Sequence, residues 1–243
     1  MKKYELTAEF IEQWGKKLFR IKALISFGSV EAGELGGYVE KEDNLAQDGD
    51  AWVYGDARVY GNARVYGDAR VYGDARVYGD AWVCGNAEVC GDARVYGNAR
   101  VYGDARVYGD ARVCGDAWVC GDAWVCGDAW VCGNAEVCGD AWVYGDARVY
   151  GDARVYGNAD YLLIGRIGSR FSFTTFFKNK DKGITVSCGC FLGTIAEFRA
   201  KVTDTHGNNK HAKIYNLAAD MAELQILGEE YFDKLNTNKS EPF

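Results

Sequence analysis

The feature that most constrains this chain is a six-residue unit, Gly-Asp/Asn-Ala-x-Val-Tyr/Cys, repeated nineteen times without an insertion from Gly49 to Leu162. A period this short leaves few folds open. Ala and Val stand two apart, so in an extended segment both point to one side, while x and the residue after Val point to the other. Gly followed by Asp or Asn is corner chemistry, because these types adopt left-handed backbone conformations at little steric cost. Each hexad is therefore a short strand plus a turn. One hexad cannot bury its own Ala and Val, but stacked turns of chain can share a continuous interior.

Composition narrows the choice further. Gly is 31 of 243 residues while Pro occurs once, which excludes collagen and argues against a Pro-rich linker. There is no apolar run long enough to span a bilayer, and Met1-Lys2-Lys3 has no apolar stretch behind it of the kind a secretory signal needs. The expected location is the cytoplasm, bacterial or phage-infected, and the nine cysteines are expected there as thiols.

With an aliphatic residue at one position and a small one four later, as in Val53, Ala57, Val59 and Ala63, the repeat resembles the hexapeptide-repeat, left-handed parallel β-helix family. That resemblance implies three hexads to a triangular coil, and the handedness rests on it alone. The expected fold is mainly β: a single-stranded left-handed parallel β-helix of about six coils over 49–162, roughly 30 Å long at the usual strand spacing. An N-terminal β cap (1–48) precedes it. A C-terminal α+β module (163–235), with a hairpin and two helices, follows, and then a disordered tail (236–243).

The hairpin is read from two strand-like runs, 171–177 and 184–188, around a polar turn. Thr194 with Glu197 is a capping box, predicting a helix that ends near Gly207 with Ile195, Phe198 and Val202 along one face. A second helix is predicted from about Lys210 to Gly228, with Ile214, Leu217, Met221 and Leu224 inward. The segment 35–45 leading into the repeats, together with 186–191 and Thr205-His206-Gly207, resembles a group of uncharacterised bacterial and prophage proteins, some labelled transferases on fold alone. That resemblance implies no established activity.

Within the repeat, 10 Arg stand against 15 Asp and 2 Glu, so the chain's net charge of −7 resides on the rod. This disfavours direct binding to a nucleic-acid backbone. Residues one coil apart form columns. One face carries Arg58, Arg76, Arg94, Arg112, Trp130 and Arg148. The second carries Arg64, Trp82, Arg100, Trp118, Glu136 and Arg154, and the third Trp52, Arg70, Glu88, Arg106, Trp124, Trp142 and Asp160. Such ladders either merely solvate the rod or form a rigid recognition surface, since Trp, Tyr and Arg dominate interface hot spots. The partner-binding candidates are Trp118, Trp124 and Trp130, which point to three different faces, with Arg58, Arg76, Arg94 and Arg112. The expected partner is a protein or a further copy of the chain, as a homotrimer or dimer; no membrane partner is expected.

No catalytic residue and no cofactor are assigned. Hexapeptide-repeat acyltransferases use a histidine on or beside the coil and γ-class carbonic anhydrases use three, whereas the histidines here are His206 and His211. A metal reading is open at Cys188, Cys190, His206 and His211, whose thiolate and imidazole donors suit zinc although their spacing is loose for a finger. A Cys188 or Cys190 nucleophile assisted by His206 is a further alternative, as is cation binding by the corner column Asp56 to Asp146. The function expected is a non-enzymatic binding or scaffold solenoid of phage or prophage type. The alternatives are an acyltransferase-like enzyme and a counter-defence inhibitor acting by nucleic-acid mimicry.

Overall fold

A computed structural model describes residues 1–228. The tail placed at 236–243 and the last residues of the C-terminal module lie outside the described residues. Strands β1 (Tyr4–Gln13) and β2 (Lys16–Ala23) form an antiparallel hairpin, and β2 pairs antiparallel with β3 (Leu35–Val39). Eighteen two-residue strands follow, from β4 (Trp52–Val53) to β21 (Arg154–Val155), one at the x-Val of each of the first eighteen hexads. An antiparallel sheet of β22 (Tyr161–Ile167), β23 (Ser172–Lys178), β24 (Ile184–Cys188) and β25 (Phe191–Thr194) comes next, then α1 (Ile195–His206) and α2 (Lys210–Leu227).

The hexad strands sort into three parallel sheets in strict rotation, so every pairing in the repeat joins residues eighteen apart, as in Arg100↔Trp118 and Val101↔Val119. The alternation predicts this: Ala and Val line the interior, with Val101 and Ala105 fully buried. Rungs are tied by backbone hydrogen bonds from the residues around each strand. Asn98 N–H donates to Gly115 O at 2.8 Å, Arg100 N–H to Ala117 O at 2.9 Å and Tyr102 N–H to Val119 O at 3.0 Å. The corner glycines take positive φ, as Gly103 does at +74°, where a side chain would be strained.

The solenoid has about seven turns, one more than the hexads alone imply. The extra coil comes from the N-terminal flank: β3 pairs in parallel with Arg58–Val59, Leu45 bridges Val65, and Trp52 pairs with Arg70. Its inward residues Val39, Leu45 and Val53 are six and then eight apart, so the longer second side breaks the six-residue phase.

Both ends are closed chemically, as a solenoid requires to keep its last rung from templating aggregation. At the N-terminal end the buried Lys3 ammonium donates to the carbonyls of Asp48, Gly49 and Ala51 at 3.0–3.2 Å. The fully buried Asn44 amide donates to Gly61 O and Ala63 O. At the other end Tyr161 and Phe177 join the valine core, and Thr175 Oγ1 accepts from the Arg148 N–H at 3.0 Å.

The capping box is present as predicted: Thr194 Oγ1 accepts from Glu197 N–H, and Glu197 accepts from Thr194 N–H at 2.8 Å. The second helix runs where expected but turns the other way. Ile214, Leu217, Met221 and Leu224 are exposed, and Ala212, Tyr215, Ala218, Ala219, Ala222 and Ile226 face the sheet. Small side chains let the helix approach closely, and Tyr215 and Ile226 fill the remaining space. Among the described residues, no helix is long and apolar enough to cross a membrane.

Candidate functional site

From Arg58 to Arg154 each column stands on its predicted face, whereas Asp160 lies in a 3-10 turn beyond the third sheet, and the x positions stack with specific chemistry. On the second face the Arg100 guanidinium lies between two indoles, 5.1 Å from Trp82 and 5.3 Å from Trp118. Both tryptophans are 38% exposed, and they flank an open groove of about 560 Å³ lined by Arg64, Asn98, Asp116 and their neighbours. The corner beside it is ordered by side-chain amides donating to the next coil's carboxylate, Asn62 to Asp80 at 3.0 Å and Asn98 to Asp116 at 2.8 Å. These bonds soften repulsion between acidic corners and fix the rim. Edge-on to Trp82 at 6.3 Å, the Tyr66 phenol is pushed up to about 12 by burial and a contact with Cys84.

The other faces are arranged differently. Trp124 stacks flat on Trp142 with centroids 4.7 Å apart, and Arg106 sits 5.0 Å over Trp124. On the first face Trp130 is held between Arg112 (4.5 Å) and Arg148 (5.6 Å). Arg58, Arg76 and Arg94 share that face with the stacked rings of Tyr60, Tyr78 and Tyr96, whose centroids are 5.0 Å apart. The β1–β2 hairpin partly covers these arginines: Arg58 donates to Gln13, and Trp14 reaches the hollow between Arg76 and Arg94. Trp118, Trp124 and Trp130 thus occupy three separate sheets. Trp82 and Arg100, missing from the initial candidates, complete the most open column; their spacing of eighteen from each other and from Trp118 was the available signal.

Trp52 departs from its expected place. It is fully buried, with Tyr4 (6.0 Å) and Phe27 (5.4 Å) packed edge-on against it beneath the N-terminal strands, so it is a core residue and not part of an outer ladder.

The cysteine expectation also needs correction. Cys114 with Cys132 and Cys120 with Cys138 form disulfides, and five thiols remain free, Cys84, Cys90, Cys126, Cys188 and Cys190. The bonded residues are the two cases in which cysteines occupy the same ladder position on adjacent coils. Their Cα atoms lie 4.7 and 4.5 Å apart, inside the span a disulfide bridges.

The zinc reading is not supported by the geometry. Among the described residues, no three His, Cys, Asp or Glu side chains gather as metal ligands, and this covers both Cys188, Cys190, His206 and His211 and the Asp56 to Asp146 column. Cys188 Sγ accepts from Thr174 Oγ1 at 3.2 Å, Cys190 is exposed beyond the turn, and the His206 ring stacks on Tyr215. Gly189 at φ +60° turns the chain between Cys188, the last residue of β24, and Cys190.

Three closed parallel sheets built from one short repeat define a β-solenoid repeat protein. The repeat is similar to the YdcK beta solenoid repeat, whose family model matches residues 51–67, 57–70, 69–85, 87–103, 93–109, 99–115, 105–121 and 147–159. No curated protein matches the chain.

Proposed function

We propose that the protein is a non-enzymatic binding scaffold whose second face, the Trp82–Arg100–Trp118 column with its Asn/Asp rim, docks a protein partner. The observation that carries this reading is the guanidinium held between two exposed indoles above a hydrogen-bonded corner. The residue types that concentrate binding energy are already ordered there, so little side-chain entropy remains to be lost on docking. The resemblance to hexapeptide-repeat, left-handed β-helix proteins and to prophage sequences supports a rigid display role in a phage or prophage setting. Both histidines lie off the rod, which favours binding over acyl transfer there.

The test is affinity capture from a bacterial lysate with the native chain, a Trp82→Ala/Trp118→Ala variant and a Trp142→Ala control. One stoichiometric protein lost only with the double variant supports the second face. Retention of the same protein by the double variant, or its loss with Trp142→Ala alone, contradicts it.

A further inference from the structure

The C-terminal module holds a cleft that the scaffold reading does not use. It measures about 210 Å³ and opens between the sheet end and the helices. Its apolar wall is Phe191, Phe198 and Val202, with Phe191 and Phe198 centroids 5.6 Å apart. The Tyr215 ring closes the base, edge-on to Phe198 at 5.7 Å. Gly168 makes room for this ring: a Cβ there would fall 1.8 Å from the Tyr215 hydroxyl. Burial raises the Tyr215 phenol above its ordinary value, with Cys188 adding to the effect.

Arg170 and Lys201 line the same cleft, along with His206 and the hydroxyls of Ser169, Ser172 and Thr205, and among the described residues no carboxylate lines it. Neither cation has a salt-bridge partner among the described residues. Arg199 of the same module, by contrast, meets Asp220 and Glu223 at 2.7 Å. Two uncompensated cations and several donors around an aromatic wall complement a ligand that has negative charge at one end and an apolar body at the other. The volume lies below the roughly 300–1,000 Å³ of drug-sized sites, which sets the ligand small.

We propose that this cleft binds a small organic carboxylate with an apolar or aromatic body, its carboxylate between Arg170 and Lys201 and its body against Phe191, Phe198 and Val202. The site lies apart from the rod, so its test is independent of partner docking. Benzoate serves as the probe, with benzyl alcohol as the uncharged analogue and inorganic phosphate as the anion lacking a body. Calorimetry on the full chain is expected to give saturable benzoate binding near 1 mM, about tenfold weaker in Arg170→Met and in Lys201→Met.

Because both cations are at the cleft mouth and the apolar wall is untouched, these variants keep the fold, which circular dichroism checks. In a second readout, bound benzoate slows alkylation of the lining Cys188 thiol, and benzyl alcohol does not. No saturation up to about 10 mM overturns the assignment, as does unchanged affinity in both variants, or equal binding of benzyl alcohol or phosphate.

Discussion

Substituting a corner glycine separates the two physical demands made at each bend. Gly55 and Gly103 both have positive φ, +56° and +74°. A Cβ on Gly55 meets nothing within 4 Å, whereas one on Gly103 lies 3.0 Å from Gly121 N and 3.1 Å from Gly121 O. Gly121 O is the acceptor of the Asp104 N–H bond between coils at 2.9 Å, so the crowded atom cannot move without loosening the ladder. Alanine in the left-handed region costs about 1–2 kcal/mol. The smaller entropy of its unfolded chain offsets roughly 0.4–1 kcal/mol. Gly55→Ala should therefore cost about 1 kcal/mol or less.

Gly103→Ala adds overpacking against the next coil, about 1–3 kcal/mol, and a weakened backbone bond of about 1 kcal/mol. Its total is about 3 kcal/mol. Urea unfolding followed by tryptophan fluorescence and by circular dichroism measures both, with coincident transitions required before a free energy is extracted. At a slope of about 2 kcal/mol/M, the midpoint falls by about 1.5 M for Gly103→Ala and by about 0.5 M or less for Gly55→Ala. Equal shifts would refute coil-on-coil crowding at the corner, and two silent variants would refute the left-handed bend itself.

Lys3→Met keeps the apolar stem but removes the ammonium from three backbone carbonyls, and is expected to cost about 2–4 kcal/mol in thermal or urea unfolding; a neutral result would show that the ammonium does not close the rod. Without reductant, denatured protein should alkylate at five cysteines, and after reduction at nine; nine in both states would contradict the two staples. The Thr194 backbone N–H and hydroxyl hold the Glu197 carboxyl below its ordinary 4.5. A depressed carboxyl contributes stability above its unfolded value and loses it as pH falls through its folded one. Amide protection in the first turn of α1 should therefore persist at pH 4.5 and fade only below it, a dependence that Thr194→Ala removes; protection already lost at pH 4.5 would contradict the cap.

The rod was legible because one short period determines which atoms face inward, where the bends fall and which residues stack. From Arg58 to Arg154 every column is where the spacing of eighteen puts it. The first coil was not legible, because Val39, Leu45 and Val53 are separated by six and then eight, and the coil exists only through its pairing with the repeat. Trp52 illustrates the consequence: its sequence position is an outer one, and only the cover of Tyr4 and Phe27 makes it core.

On α2 two apolar stripes compete. Hydrophobicity favours Ile214, Leu217, Met221 and Leu224, but the sheet takes the alanine-rich stripe, because contact distance there is set by side-chain size. The disulfide pairs, Cys114 with Cys132 and Cys120 with Cys138, are eighteen apart like the rest of each column, but an expectation of thiols based on compartment pointed away from them. The cleft around Tyr215 brings Arg170, Lys201 and His206 together from separate elements, a proximity that no local spacing encodes.

The most direct measurement places a photo-crosslinking benzoylphenylalanine singly at 118, 124 and 130, one hexad apart, and reads adducts to the captured partner. Three-sided coils with a single docking face predict crosslinks from 118 and none from 124 or 130. Comparable adducts from all three positions, or from 124 or 130 in place of 118, would contradict the account.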